Sequence, residues 1–174
     1  HTPRVDDGIG PVTDGTALVA ALEDLIIAGW HEVGKGQAIA AISSAGIGED
    51  GLCVDTDLRP TGHAIPWFDK RDFAEADELR WSDGARDYPA INFAFATAAA
   101  KWLWLSRHQR SAIGREKTWI TLADYPLVWW SRVPFISATL LPRTGVFDVF
   151  TRAIVPQLVD ACSGPVLPPG RAAG

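Results

Sequence analysis

Three glycines at positions 46, 48 and 51 have the spacing of a loop that can approach a phosphate or a sugar closely. In a dinucleotide-binding fold the third glycine opens a helix, because the free N–H groups of that helix hold the pyrophosphate. Gly51 is instead followed by "LCVD", residues 52–55, whose alternation predicts a β-strand. The pattern therefore favours a glycine-rich bend between two antiparallel strands, and a nicotinamide-binding oxidoreductase remains an alternative.

The histidines and cysteines do not indicate a metal site or a disulfide. Cys53 and Cys162 lie far apart with no second cysteine near either of them. His31, His63 and His108 lack the spacing of metal ligands. We therefore expect no metal ion to be held by this chain.

The composition predicts one soluble globular domain. The 174 residues are 47% hydrophobic, and 16 Lys and Arg against 21 Asp and Glu give a net charge of −5. This balance provides no basic surface for nucleic acid or for an anionic membrane, and no apolar run reaches the length of a membrane span. We expect neither partner, and the unpaired cysteines favour a cytoplasmic location.

The elements that must position the glycine bend alternate between helices and strands. A helix is predicted from a cap at Thr13 or Asp14, with Gly29 and Gly34 ending it, after an extended lead-in over residues 1–12. Further helices are predicted over 73–81, 93–108, 123–130 and 148–162, the last bent at Pro156, and strands over 37–43, 52–55, 63–67 and 117–122. This alternation predicts an α/β fold.

The eight tryptophans allow two interpretations. Trp102, Trp104, Trp119, Trp129 and Trp130 could form a stacking platform for saccharides. Their helical spacing and their place in a buried strand favour core packing instead.

Residues 38–71 resemble the FGGY family of carbohydrate kinases. Within them "IPWFDKR", residues 65–71, matches the Trp, Asp and Arg of the family's "aIlW-x-D-x-R" segment. Four more segments resemble the family in the same order: residues 100–108, 121–131, 136–149 and 164–174. Each match is weak alone, but their common order indicates membership.

The resemblance implies an α/β, ribonuclease H-like, actin-like ATPase lobe, with residues 1–174 as an incomplete first lobe of a two-lobed sugar kinase. Residues 164–174 would be a truncated linker or edge segment. In such kinases ATP and Mg²⁺ lie between the lobes, and the first lobe holds most of the sugar. No phosphate loop of the family's type precedes Val12, and the family's general base would lie beyond Gly174. We expect no catalytic or cofactor-binding residue here and no turnover by the isolated chain.

The resemblance also implies five substrate-binding residues: Gly48, Glu49, Trp67, Asp69 and Arg71. Gly48 and Glu49 would occupy the loop that meets the sugar hydroxyls, where a carboxylate accepts hydrogen bonds from a vicinal diol. Relatives carry Arg-Glu or Met-His at these two positions, so the identity of the sugar stays open. Trp67 would pack on the C–H face of the sugar, and the alternative is a plain core tryptophan. Asp69 and Arg71 point the same way on an extended segment, so we expect an ion pair near the site rather than direct contact.

Arg143 and Thr144 fall in a region that faces the cleft in the family, and they are further candidates for holding substrate. The expected partner is a small-molecule sugar or polyol, with a homodimer as a candidate assembly. A second function also stays open, in which a non-enzymatic module reuses the lobe to bind a small polyol or a partner protein.

Overall fold

The computed structural model describes residues 2–34, 36–82, 84, 87–88, 91, 93–94 and 96–172. It begins with a hairpin in which β1 (Arg4–Asp6) pairs antiparallel with β2 (Pro11–Thr13). The Asp7 carboxylate closes the turn between them by accepting two backbone N–H groups, each at 3.0 Å. The predicted extended lead-in is therefore a hairpin.

Helix α1 (Gly15–Val33) begins where the sequence predicts. The carboxylate of Asp14 accepts hydrogen bonds from two N–H groups of the first turn, at 2.8 and 3.1 Å, and so satisfies donors that a helix start leaves free. At the other end the N–H of Gly34 donates to the carbonyl of Trp30. The predicted cap at Asp14 and the end at Gly34 are confirmed, whereas Gly29 lies within the helix and does not end it.

The remaining elements are short. The helices are α2 (Phe73–Arg80), α3 (Ala98–His108), α4 (Tyr125–Ser131) and α5 (Pro156–Ala161). The strands are β3 (Gly51–Val54), β4 (Thr118–Thr121), β5 (Ile136–Ser137), β6 (Phe147–Asp148), β7 (Ala153–Ile154) and β8 (Gly170–Arg171). Short 3-10 turns lie at Arg110–Ala112 and Leu141–Thr144.

Strands β3 and β4 form a central antiparallel ribbon in which Gly51 lies opposite Thr121. Both strands are confirmed predictions. The other strands pair two by two: β6 antiparallel with β7, and β5 parallel with β8.

Alternate side chains of the ribbon point to opposite faces, and both faces are buried. Leu52 and Ile120 pack in one cluster with Val19 of α1. Cys53 and Trp119 pack in a larger cluster built on α3 and α2. Helices α1 and α4 contact each other, as do α2 and α3, so the helices follow this division into two cores.

The tryptophans of these cores bear out the prediction of core packing. Trp102, Trp104 and Trp119 are buried, and the rings of Trp102 and Trp119 meet edge to face at 5.5 Å. Trp129 and Trp130 on α4 are partly buried against the smaller cluster.

The predicted strand over residues 37–43 is wrong. The segment is exposed and irregular, and none of the described strands pairs with it. A strand needs a neighbour to satisfy its backbone N–H and C=O groups, and β3 finds that neighbour in β4. The glycine bend therefore does not join two paired strands.

Two other predicted elements differ from the structure. The segment 63–67 forms only an isolated bridge between Ala64 and Thr13, because Pro66 cannot donate to a ladder. The last helix begins at Pro156 instead of running from 148, since the residue before a proline disfavours helical backbone.

The helix predicted over 93–108 starts at Ala98. Asp124 stands at the N-cap position of α4, yet its carboxylate makes no capping bond. It accepts instead from the hydroxyl of Thr121 (2.7 Å) and the N–H of Ser137 (2.8 Å), which ties α4 to β5. No described helix is long and apolar enough to cross a membrane.

Candidate functional site

A cavity of about 550 Å³ opens beside the start of β3. Its polar lining includes side chains from β1, β2 and the loops on either side of the ribbon: Arg4, Thr13, Ser44, Asp50 and Trp67. These groups offer both donors and acceptors within one concave surface.

The rest of the lining is mainly apolar and comes largely from α1 and α4. It includes Leu18, Leu22, Ile26, Pro126 and Trp130. A hydroxylated molecule would therefore find its hydrogen-bond partners on the polar side of the cavity, which includes Asp50 and Trp67.

Trp67 is not a core residue. Its side chain is 44% exposed, lines the cavity, and meets the ring of Phe68 edge to face at 5.8 Å. The indole is thus held by a neighbour while one surface remains available to a ligand.

Asp50 is a residue that our sequence analysis missed. Its side chain lines the cavity and is 15% exposed, and its Oδ1 has no hydrogen-bond partner in the described part of the chain. Burial raises the pKa of this carboxyl, and the Lys101 ammonium, 4.0 Å away, and the backbone N–H of Trp67 only partly offset that effect. The signal was available, since Asp50 immediately precedes the strand that the glycine bend introduces.

Glu49 lies next to Asp50 but outside the cavity lining. Its Oε1 is 2.5 Å from Nη2 of Arg143, which stands in the 3-10 turn before β6. A side chain at Gly48 would collide with this turn, because its Cβ would lie 2.7 Å from Cδ2 of Leu140. The absent side chain therefore lets the loop pack against Leu140, the residue before this turn.

Asp69 and Arg71 form the expected ion pair, with 2.8 Å between Oδ2 and Nη2. Arg71 also pairs with Asp7 in the first hairpin and lies 5.1 Å from the ring centre of Trp104, and its side chain is 2% exposed. Burial raises the pKa of Asp7, but the hydrogen bonds from Arg71 and from the turn outweigh this and bring it to about 2. The pair therefore joins the hairpin to the segment that carries Trp67.

The ammonium of Lys101 lies behind these loops. The side chain is fully buried, and Nζ donates to the carbonyl oxygens of Glu49 (2.7 Å) and Ile65 (2.9 Å). Asp72 is equally buried, and neither of its carboxylate oxygens finds a partner within the described ranges. Burial raises the pKa of Asp72 to about 7, although the charge of Lys101 acts against the shift.

The residues present do not by themselves make a metal site. Among the described residues, no three His, Cys, Asp or Glu side chains come together as they would around a metal ion. His31, His63 and His108 are exposed, and Nδ1 of His108 lies 2.9 Å from the carbonyl of Trp104 at the end of α3. Gly51 opens a strand instead of a helix, so the glycine pattern lacks the helix start that a pyrophosphate requires.

Similar solved structures show the fold. The chain resembles the xylulose kinase of Lactobacillus acidophilus (TM-score 0.78, 17% identity, 99% of this chain and 36% of that chain). It also resembles the gluconate kinase of the same organism (TM-score 0.75, 17% identity, 99% and 35%). A third match is the glycerol kinase of Plasmodium falciparum (TM-score 0.75, 16% identity, 98% and 37%). The predicted ribonuclease H-like, actin-like α/β lobe is confirmed, and the chain spans about a third of the length of these kinases.

The sequence itself is matched by a family description. No curated protein matches the chain. The family model "FGGY family of carbohydrate kinases, N-terminal domain" matches residues 17–169, which is most of the chain and includes the central ribbon and both candidate loops. The chain therefore belongs to the FGGY family of carbohydrate kinases, and its matched residues are those of the N-terminal domain.

Proposed function

We propose that the chain is the substrate-binding half of an ATP-dependent sugar or polyol kinase, which transfers a phosphoryl group to an alcohol. The cavity beside Asp50 and Trp67 receives the substrate. The observation that carries this proposal is that a carboxylate, Asp50, and a partly exposed indole, Trp67, line the same cavity. Family membership supplies the reaction class.

The two side chains suit the two kinds of surface that a polyol presents. A carboxylate oxygen accepts hydrogen bonds from hydroxyl groups, and the bond is stronger because the acceptor is charged. An indole packs on C–H groups and buries a large area with little loss of rotamer freedom. Asp50 and Trp67 would together orient the substrate in the cavity.

Glu49 and Gly48 remain proposed substrate-binding residues at the edge of the site. The Oε2 atom of Glu49 is left to a ligand when Oε1 pairs with Arg143. We propose that Asp69 and Arg71 hold the segment that carries Trp67 in place, because Arg71 is buried between two carboxylates and lies near the ring of Trp104.

Phosphoryl transfer also needs a nucleotide, a metal ion and a base for the hydroxyl proton. ATP with Mg²⁺ is the donor that the family implies, and the described residues provide no carboxylate cluster for the metal. We propose that this chain only binds and orients the alcohol that accepts the phosphoryl group. We expect no turnover from the chain in isolation. A coupled ATPase assay with a panel of ketoses and polyols tests this expectation, and robust substrate-dependent activity would overturn it.

Binding is tested by calorimetry with xylulose, gluconate and glycerol. Replacing a charged acceptor by a neutral amide removes a hydrogen bond worth about 1.5–3 kcal/mol, so Asp50→Asn should weaken binding at least tenfold. Asp57→Asn is the matched control, since Asp57 is exposed on the turn after β3. Equal affinity of the two variants would contradict the role of Asp50.

We also place the protein in the cytoplasm. Cys53 and Cys162 are both buried and unpaired, which suits a reducing compartment. Fractionation of cells that express the protein, followed by immunoblotting, tests this location, and recovery with the secreted or membrane fraction would contradict it.

A further inference from the structure

The Lys101 ammonium joins the two loops that carry the proposed contact residues. Its hydrogen bonds go to the carbonyl oxygens of Glu49 and Ile65. Glu49 immediately precedes Asp50, and Ile65 lies two residues before Trp67. One side chain from α3 therefore reaches the main chain beside each of the two side chains that line the polar part of the cavity.

Stability alone is a weak reason for a lysine at this position. Removing an ammonium from water is costly, and well-packed apolar side chains often replace buried charges without loss of stability. A lysine does offer three donors on a long stem, which lets it reach two separate carbonyl oxygens. Among the described residues, the carboxylate nearest to Nζ of Lys101 is that of Asp50, whose Oδ1 lies 4.0 Å away.

The charges around the ammonium are arranged to leave its donors to the main chain. Asp50, Asp72, Glu49 and Asp69 all contribute negative charge near Lys101. Neither Asp72 oxygen forms a hydrogen bond within the described part of the chain, so Asp72 does not compete with the loop carbonyls for the donors of Lys101. The carboxylates thus compensate the buried charge, while the two shortest contacts of Nζ are with the loop carbonyls.

We propose that Lys101 is a positioning residue that sets the separation of Asp50 and Trp67, so that the carboxylate and the indole contact one polyol together. Lys101 is buried behind the loops and acts on the substrate only through them. The inference rests on the proposed function, because it takes the cavity to be the polyol site. Its geometric part, the fixed spacing of the two loops, can be tested without any ligand.

The ligand-free test uses nuclear Overhauser contacts between the Asp50 and Trp67 loops. Lys101→Met removes the donors and keeps an unbranched chain of similar length. Leu158→Ala is the control for lost stability, because Leu158 belongs to the core cluster that packs against α3 but lies on α5, which contributes nothing to the cavity lining. We expect Lys101→Met to lose the contacts between the loops while both variants keep those between β3 and β4. Retention of the inter-loop contacts in Lys101→Met would overturn the proposal.

The ligand test compares affinities for xylulose or glycerol, whichever the unmodified chain binds. Lys101→Met should weaken binding at least tenfold, and Leu158→Ala should remain within about twofold, because only the former frees the loops. Equal losses in the two variants would reduce Lys101 to an ordinary core residue. If the unmodified chain binds no sugar or polyol, the proposed function fails, and the ligand-free test still decides the positioning role.

If Lys101→Met does not fold, a measurement on the unmodified chain tests the positioning role instead. The side-chain ¹⁵Nζ resonance of Lys101 should shift when the ligand is added, because the two acceptor carbonyls belong to the loops that would contact the ligand. An unchanged resonance at saturating ligand would contradict the proposal, because a lysine with a purely structural role has no reason to respond.

Discussion

The guanidinium of Arg143 lies against the carboxylate of Glu49, with 2.5 Å between Nη2 and Oε1. This contact joins the glycine bend to the 3-10 turn Leu141–Thr144, although the two segments are far apart in the chain. Arg143 is 59% exposed, so water competes for the pair and its contribution to stability is small. Glu49 can therefore accept a hydrogen bond from a ligand, and weakening its pair with Arg143 would cost little stability.

Variants of the two partners separate a substrate contact from a structural pair. Glu49→Gln should weaken polyol binding about tenfold, because a charged acceptor is lost. Arg143→Gln should change affinity less than about threefold, since an exposed pair is worth about 0–1 kcal/mol. Calorimetry measures both, and equal effects would indicate that only the ion pair matters.

A side chain at Gly48 should destabilise the protein. The added Cβ of Gly48→Ala lies 2.7 Å from Cδ2 of Leu140, the tip of a partly buried side chain that can shift, so the cost should be about 1 kcal/mol, at the low end for overpacking. The matched control is Gly29→Ala within α1, where a Cβ meets nothing within 4 Å and the helix should gain up to about 1 kcal/mol. Urea denaturation measures both, and a neutral Gly48→Ala would show that the turn yields easily.

Loss of Arg71 should destabilise the protein far more than loss of an exposed arginine. Arg71→Met leaves Asp7 and Asp69 without their buried partner, at a cost of about 3 kcal/mol. Arg115→Gln is the control, because Arg115 and Asp160 form an exposed pair. A similar melting temperature for the two variants would contradict the supporting role of Arg71.

Arg71 should also determine part of the loss of stability at low pH, because it lowers the pKa of Asp7. The pKa of Asp7 is lowered to about 2 in the folded chain, so its contribution to the free energy of unfolding is present above pH 4 and is lost as the pH falls towards 2. Arg71→Met should therefore lose less stability between pH 4 and 2 than the unmodified chain does. Parallel acid titration curves for the two proteins would argue against this linkage.

Asp72 should make the protein less stable as the pH rises. Its pKa is raised to about 7, because burial outweighs the favourable charge of Lys101, and the nearby Asp69 and Glu75 add to the shift. Between about pH 4 and 7 the folded chain keeps a proton that the unfolded chain has released, so the free energy of unfolding falls with pH.

Asp72→Asn should remove that decline and be more stable than the unmodified chain at pH 8, by on the order of 1 kcal/mol. The advantage should shrink at pH 5, where the carboxyl of the unmodified chain is protonated. Asp24→Asn on the exposed side of α1 provides the control. Denaturant curves at both pH values measure the difference, and an Asn variant that is less stable at pH 8 would contradict the pKa shift.

Local signals were sufficient for the elements whose own residues determine them. Asp14 caps α1, short apolar runs form β3 and β4, and Pro126 stands in the first turn of α4. The prediction of a strand over residues 37–43 was wrong because a strand needs a pairing partner, and the residues of the segment itself do not reveal whether one is available. Tertiary pairing, rather than local propensity, decided that case.

The candidate site shows the same division between local and long-range information. Spacing predicted the pair of Asp69 and Arg71, but the third member, Asp7, lies in another hairpin and has no sequence signal. Asp50 was missed because its neighbour Glu49 fitted the family pattern, whereas the fold turns Asp50 into the cavity. Lys101 lies in the segment 100–108 that resembles the family, and nothing local in the sequence indicates the two distant carbonyls that its ammonium reaches.

The most direct test of the account is a titration of the ¹⁵N-labelled chain with xylulose or glycerol, followed by nuclear magnetic resonance. We predict that the backbone signal of Asp50 and the indole signal of Trp67 shift together along one saturable binding curve. Absence of shifts at both residues, or shifts confined to surfaces remote from the cavity, would contradict the assignment of this cavity as the polyol site.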